Sequence, residues 1–587
     1  MFRAVLTDRL QAAFTAAGIA APEGFSPAVV IASDTRYGDY QSNAAMVLAK
    51  QMKTNPRALA EQIKAALETV CADLCEKITV DGPGFLNFTL GAPALAQRLA
   101  FIIRDAHAGV PQAARPKRVV VDFSAPNIAK PMHVGHIRST FIGDSLARVA
   151  RFLGHEVITD NHVGDWGTQF GMIIHGWKTR LDQEALKKDA IHELVRVYKT
   201  VNAEAKADDA VLEVCKAELV KLQQGDAENL GIWKECVRLT LEQLEKVYTA
   251  LDIRFDHYLG ESFYNDALAP LVEDMLARGI ATESEGAVCV FSDGSLKPED
   301  DPFLIKEKDS WKAAPCIIRK SDGGFLYATT DLATIDYRVR EWRADEIWYV
   351  VGAPQQLHFR QVFAAAQRRG VGTEMTHIAF GSILGPDGKM FKTRSGETVG
   401  LLEVIEESIE RAREAVDSRD QGHSAEEKEE IARIIGTAAV KYAELSQNRL
   451  TDYKFSWDKM LSLQGNTAPY LLNAYVRTRS IFRKLEGGTV DLAGAKLTIT
   501  EPAERALALK LSQFAETVHD ILADHRPNLL ANYLFELANT YHSFYEACPV
   551  LKAEGAARAT RLALCEGASR VLKAGLGLLG IQTTERM

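Results

Sequence analysis

The chain has 587 residues, 47% hydrophobic and 25% charged, with 41 Gly and 19 Pro. This composition excludes collagen-like and low-complexity chains and disorder as the main state, and at roughly 150 residues per domain it predicts three or four domains. A net charge of −9 excludes a globally basic nucleic-acid binder, although residues 466–587 carry 14 Lys/Arg against 12 Asp/Glu, so a local basic face at that end remains open.

In chain order, residues 1–110 read as a small α+β unit. Apolar residues at Phe2, Val5, Leu6, Leu10 and Phe14 have amphipathic helical spacing, a second helix spans about 56–75, and 77–90 alternates like paired strands about Asp81-Gly-Pro-Gly84. Residues 111–116 form a linker. Arg118-Val-Val-Val-Asp122 is a β-branched run of the kind buried in parallel sheets, followed by a helix over about 135–153 and a strand over 156–159, together a βαβ unit. A second such pair is a strand over 346–351, a helix over about 358–370 and a strand over 377–380. The fold class is therefore α/β: a doubly wound parallel sheet, catalytic over 117–400, with a connective insertion at about 185–330. Residues 401–460 make a helical stem, and 461–587 are expected to be all-α, with helices at 468–485, 502–523, 527–547 and 556–579.

Eight cysteines are scattered, with no CxxC pair for zinc or a disulfide framework, and no run reaches the ~18–20 apolar residues of a membrane span. A reducing, cytoplasmic location without structural metal is expected.

The segment carrying most chemistry is Ser124-Ala-Pro-Asn-Ile-Ala-Lys-Pro-Met-His-Val-Gly-His136, which follows a strand and opens a helix. Helix starts present unsatisfied N–H groups to phosphate, and His133 and His136, separated by Gly135, can donate to a phosphoryl transition state. Downstream, Lys389-Met-Phe-Lys392-Thr-Arg-Ser-Gly396 places two lysines and an arginine where they can grip a pyrophosphate leaving group.

These two motifs resemble the signatures of class I aminoacyl-tRNA synthetases, which activate an amino acid with ATP and pass it to tRNA. Longer strings resemble the arginyl-tRNA synthetases across essentially the whole chain: Asp122 to Lys130, Asn161-His-Val-Gly-Asp-Trp-Gly-Thr-Gln-Phe170, Gly323 to Asp331, Gly465 to Tyr470 and the ending Glu585-Arg-Met587. The resemblance implies ATP-dependent ligation of L-arginine to its tRNA through an arginyl-adenylate, with ATP as its Mg²⁺ complex. It implies catalytic roles for His133, His136, Lys389 and Lys392, and ATP binding by His133, Gly135, His136 and Lys392. Arginine binding falls to Asn127, His133, Glu261, Tyr327, Asp331 and Gln355. A planar guanidinium needs carboxylates, which Glu261 and Asp331 supply. Taken alone, Asp331 reads better as a helix N-cap, Glu261 as a surface-turn carboxylate, and Trp166 equally as a core anchor. The resemblance further implies that Phe85 and Asn87 read an exposed base at the tRNA elbow, although Phe85 is equally a buried strand residue. Tyr470, Arg477 and Met587 lie where the family contacts the anticodon; Asn473 stands where some members carry an aromatic, and Arg479 and Arg483 continue the basic face. A monomer is expected, and kinship also implies a minority class in which tRNA must bind before activation.

Three alternatives fit the sequence less well. A small nucleotidylyltransferase rarely needs so large a helical domain, and a lysine-specific synthetase would not need a bidentate pocket. A silent RNA-binding paralogue is disfavoured because both motifs are intact.

Overall fold

A computed structural model describes residues 1–385, 388, 400–418, 422–485, 492 and 494–587. It divides into two compact units, one formed by Met1–Ala113, Val416–Tyr442 and Lys459–Met587, the other by Ala114–Ala415 and Ala443–Asp458.

The second unit is built on a four-stranded parallel sheet of β1 (Arg118–Asp122), β2 (Glu156–Asp160), β3 (Glu346–Tyr349) and β4 (Glu374–His377), in the order β4-β3-β1-β2. Register pairs Val121 of β1 with Thr159 of β2 and Trp348 of β3. Val119, Val120 and Val121 are buried, as a central strand covered on both faces requires. Helix α1 (Ile137–Phe152) joins β1 to β2, α2 (Tyr327–Arg340) precedes β3, and α3 (Gln356–Arg368) joins β3 to β4. Because β1 and β3 are neighbours and their crossovers run outward in opposite directions, the chain reverses between them, and a crevice opens at their carboxyl ends.

The last strand lies at Glu374–His377, three residues earlier than its hydrophobic pattern predicts. Ile378 and Phe380 are buried beyond it, held by the Ile378 N–H on Tyr349 O (2.8 Å) and a bridge of Gly352 to Phe380, so burial outlasts regular pairing.

The insertion starts with helices Gln183–Lys188, Ala190–Ala207, Asp209–Gln223 and Ala227–Ala250. Asp182, Asp189, Asp208 and Asp226 cap them in turn through carboxylate bonds to first-turn N–H groups. A three-stranded antiparallel sheet (282–284, 287–290, 316–319) and an exposed hairpin (304–307 with 310–313) follow. Leu268, Val272, Met275, Val288, Ile318 and Leu332 pack with Val120 and Ile347 into one core, seating the end of the insertion against the sheet.

In the first unit, the N-terminal four-stranded antiparallel sheet runs in the order 29–31, 40–42, 85–90, 75–81. The C-terminal region is helical at Ala468–Arg483, Pro502–Ser512, Phe514–Asp524, Asn528–Ala547 and Gly555–Leu578, and no strand occurs after residue 460 among the described residues. Opposite ends of the chain meet here. Arg505 donates to buried Asp39 (2.7 Å), Tyr40 donates to Glu516 (3.0 Å), and Arg3 pairs with Asp520 (2.6 Å).

Candidate active site

The chain leaves β1 through a contorted loop. Ser124, Ala125 and Ala129 all have positive φ (73°, 45° and 58°), a costly backbone for residues with a side chain. Buried polar bonds hold it in place. Ser139 on α1 accepts from the Ser124 N–H (2.8 Å) and donates to Val350 O just after β3 (2.6 Å), while the Asn161 side chain accepts from the Ala125 N–H (3.1 Å). The ends of β1, β2 and β3 and the start of α1 are thus tied to one loop. Beneath them lies a buried ion cluster in which one Arg338 nitrogen bridges Asp122 and Asp160, at 2.7 Å each.

The loop delivers His133 and His136 to a 3₁₀ turn (Val134–His136) that runs into α1. His133 Nδ1 accepts from the Gly135 N–H (3.0 Å), and His136 Nδ1 accepts from the His133 N–H (3.1 Å). Burial lowers both imidazoles, with His133 adding to the effect on His136, which falls to about 4. His136 Nδ1 also lies 3.3 Å from His133 O, but its shorter contact is to the N–H, and neutral rings that accept at Nδ1 carry their proton on Nε2. Each therefore presents an Nε2–H donor, with ring centroids 4.1 Å apart. Gly135 is required between them, because a Cβ there would lie 2.7 Å from the His133 ring.

Lys389 and Lys392 lie outside the described residues. The carboxyl side of their segment is anchored at the histidines: Gly400 bridges His133, and the Leu401 N–H donates to Met132 O (3.0 Å).

On the other flank of the crevice, the turn Glu261–Tyr264 packs against α2. Burial, then the charges of Asp165 and Asp331, push the half-buried Glu261 carboxyl up to about 8. Asp331 is not a helix cap. The helix begins four residues earlier at Tyr327, with Leu326 at the N-cap position, so Asp331 sits one turn along the same face as Tyr327. It accepts from His358 Nε2 at 2.5 Å. Tyr327 is 69% exposed, which leaves its ring face available, and its phenol is raised by burial and by Glu261. Gln355 is exposed at the end of the turn Ala353–Gln355 that opens α3, and Asn127 is exposed on the contorted loop, bridged to Gly164.

Sequence reasoning missed Asp165, which lies in a string that carries the family resemblance without a role of its own. Its buried carboxylate accepts from the Ser262 N–H (2.8 Å) and Oγ (2.5 Å), and a Cβ on Gly260 would meet it at 2.4 Å. The signal was present in the acid flanked by glycines in Val163-Gly-Asp-Trp-Gly167, but nothing local points it at residue 261. Trp166 meets Trp233 edge-on at 5.9 Å, and Trp233 donates to Asp165 O (2.8 Å), so this tryptophan anchors the cleft wall.

In the other unit, Asn87 is buried. Its amide accepts from Gln41 (2.7 Å) and donates to Asp81 (2.6 Å), beside half-buried Phe85. Tyr470 donates to Asn539 (2.6 Å), and Arg477 lies over the Tyr545 ring at 5.6 Å. Arg479 and Arg483 are answered internally, by the Glu585 carboxylate (3.0 Å) and carbonyl (2.6 Å), which brings the tail ending at half-buried Met587 onto the helix Ala468–Arg483.

Residues 99–457 match the family model described as tRNA synthetases class I (R), catalytic domain. Residues 3–90 match the arginyl tRNA synthetase N terminal domain, and 471–587 the DALR anticodon binding domain. The chain belongs to the arginyl-tRNA synthetase family. An arginine–tRNA ligase of Synechococcus is 45% identical over 100% of this chain and 99% of its own, and one of Chromobacterium violaceum is 43% identical over 99% of each. The arginyl-tRNA synthetase of Plasmodium falciparum superposes with a TM-score of 0.82 at 28% identity, over 100% of this chain and 99% of its own. That of Thermus thermophilus does so with 0.82 at 26%, over 100% of both. No helix among the described residues is long and apolar enough to cross a membrane, and none of their His, Cys, Asp and Glu side chains group in threes as metal ligands.

Proposed function

We propose that the crevice at the ends of β1 and β3 joins ATP to arginine, with the roles of individual side chains as follows. The enzyme is an arginine–tRNA ligase, forming arginyl-tRNA with release of AMP and pyrophosphate. Two Nε2–H donors at a helix start, beside a pocket of three carboxylates, carry the residue-level reading.

ATP enters as its Mg²⁺ complex and lies over His133, Gly135 and His136. The arginine carboxylate attacks the α-phosphate, forming a C–O–P link as the bond to pyrophosphate breaks. The two histidines donate to the transferring phosphoryl group without being protonated, and Lys392, aided by Lys389, neutralises the departing pyrophosphate. Asn127 and His133 hold the amino acid's α-amino and α-carboxylate groups. Glu261 and Asp331 receive the guanidinium, Tyr327 packs over it, and Gln355 closes the pocket. The terminal ribose hydroxyl of tRNA then attacks the adenylate carbonyl and AMP leaves, with no covalent enzyme intermediate.

For tRNA, Phe85 offers the stacking surface at the elbow. Asn87, its amide engaged, acts there by exchanging or orienting Gln41 and Asp81. Tyr470, Arg477 and Met587 form the anticodon contact. The enzyme works as a cytoplasmic monomer. ATP–pyrophosphate exchange with each of the twenty amino acids, with and without total tRNA, tests the reading: arginine alone should support exchange, and exchange with a neutral amino acid instead would overturn the pocket assignment.

A further inference from the structure

Asp165 has no part in the contacts assigned above, yet its surroundings are specific. The turn carrying Glu261 closes over it: Gly260 leaves no room for a side chain above the carboxylate, and Ser262 grips both its oxygens. Glu261, between those two residues, has its own N–H on Val163 O (3.2 Å), two residues before Asp165, so both acids are fixed by the same short stretch of chain. Asp331 faces them from α2 and carries its own partner, His358. Among the described residues, the other groups facing the cluster are the His162 imidazole, whose Nδ1 lies 2.9 Å from Leu259 O, the Tyr327 phenol, the Cys316 thiol and Tyr349 phenol that Asp331 acts on, and the Trp166 backbone N–H, which reaches Glu261. Three carboxylates thus share one partly buried space with no Lys or Arg among these neighbours. Like charges so placed do not all ionise together.

Resting on the assignment of this pocket to arginine, we propose that the arginine-free enzyme holds one proton on Glu261, beside the Asp165 carboxylate gripped by Ser262, and that an incoming guanidinium expels it to solvent. Asp165 is then a positioning and specificity residue: it adds to the burial that keeps Glu261 neutral until a permanently charged planar cation arrives. The exchange favours a ligand whose charge cannot be relieved by losing its own proton, which separates guanidinium from ammonium. The sign follows. Both burial and the acidic neighbours raise Glu261 in the free enzyme, to about 8, and the cation reverses this, so arginine binding strengthens as pH rises and levels off above about pH 8.

Calorimetric titration of the full-length enzyme with L-arginine in phosphate and in Tris buffers counts the protons exchanged. Release of about one proton at pH 7, and an arginine Kd that tightens about tenfold per pH unit between pH 6 and 7.5, are expected from one-proton linkage. Glu261→Gln should abolish the release at pH 7, Asp165→Asn should reduce it while arginine still binds, and His358→Gln should leave it in place. Wild-type binding with no buffer dependence overturns the proton exchange alone, as does release that survives Asp165→Asn and Glu261→Gln but disappears in His358→Gln. Absence of any arginine heat would overturn the pocket assignment, and this inference with it.

Discussion

Gly135 leaves space for the His133 ring at the helix start, and this makes the histidine pair sensitive to a single methyl group. In Gly135→Ala the new Cβ would lie 2.7 Å from the ring, which must swing away and lose the Nδ1 bond that orients its donor. Pyrophosphate exchange should fall on the order of 10²–10³-fold, the usual cost of one transition-state donor, with Tm nearly unchanged. An NMR titration of His136 should show no ring protonation above about pH 5, since burial holds it at about 4; a ring that protonates near its ordinary value would exclude the neutral-donor role. At Asp331, replacement by Asn keeps the shape and removes the charge, so the arginine KM should rise about 10- to 100-fold with the ATP KM unchanged. A variant that uses arginine normally would leave Asp331 only as a partner of His358. Lys392→Ala should lower turnover by orders of magnitude and leave tRNA affinity nearly intact.

At the scale of elements, the sheet's carboxyl edge is organised by charge as much as by packing. Arg338 comes from α2, while Asp122 and Asp160 end β1 and β2, and all three are buried. The pairing fixes where α2 crosses the sheet, and with it where Tyr327 and Asp331 face the crevice. Arg338→Met should cost about 3–5 kcal/mol by leaving two carboxylates buried without a cation. Those acids would then take up protons more readily, so the loss, measured by chemical denaturation, should be larger at pH 8 than at pH 5. An equal loss at both would show that the arginine contributes packing alone.

At the scale of the molecule, the unit that carries the N-terminal sheet and the C-terminal helices uses its own acids to answer cations that the bare sequence offers to RNA. Glu585 draws Arg479 and Arg483 to the tail, placing the final residues against the helix that bears Tyr470 and Arg477. Glu585→Ala should free that tail and raise the tRNA KM several-fold without altering the arginine KM at saturating tRNA. An unchanged tRNA KM would exclude a role for tail position in anticodon contact.

What the linear chain determined is whatever depends on near neighbours. The β-branched run at 118–122 specifies a buried strand because its side chains cover both faces, aspartates specify helix starts because their carboxylates reach N–H groups two or three residues on, and histidines three apart reach one helix start because a single turn spans them. Tertiary structure decided what depends on distant approach. Asp331, which locally imitates a cap, becomes a second-turn carboxylate because burial along α2 starts the helix earlier. Asp165 meets Glu261 only because the insertion returns its turn to the cleft, and Arg479 loses its apparent freedom to an acid 106 residues away. Charges act through space with a reach that ignores sequence separation, so the electrostatics of this pocket could not be read before the chain was folded.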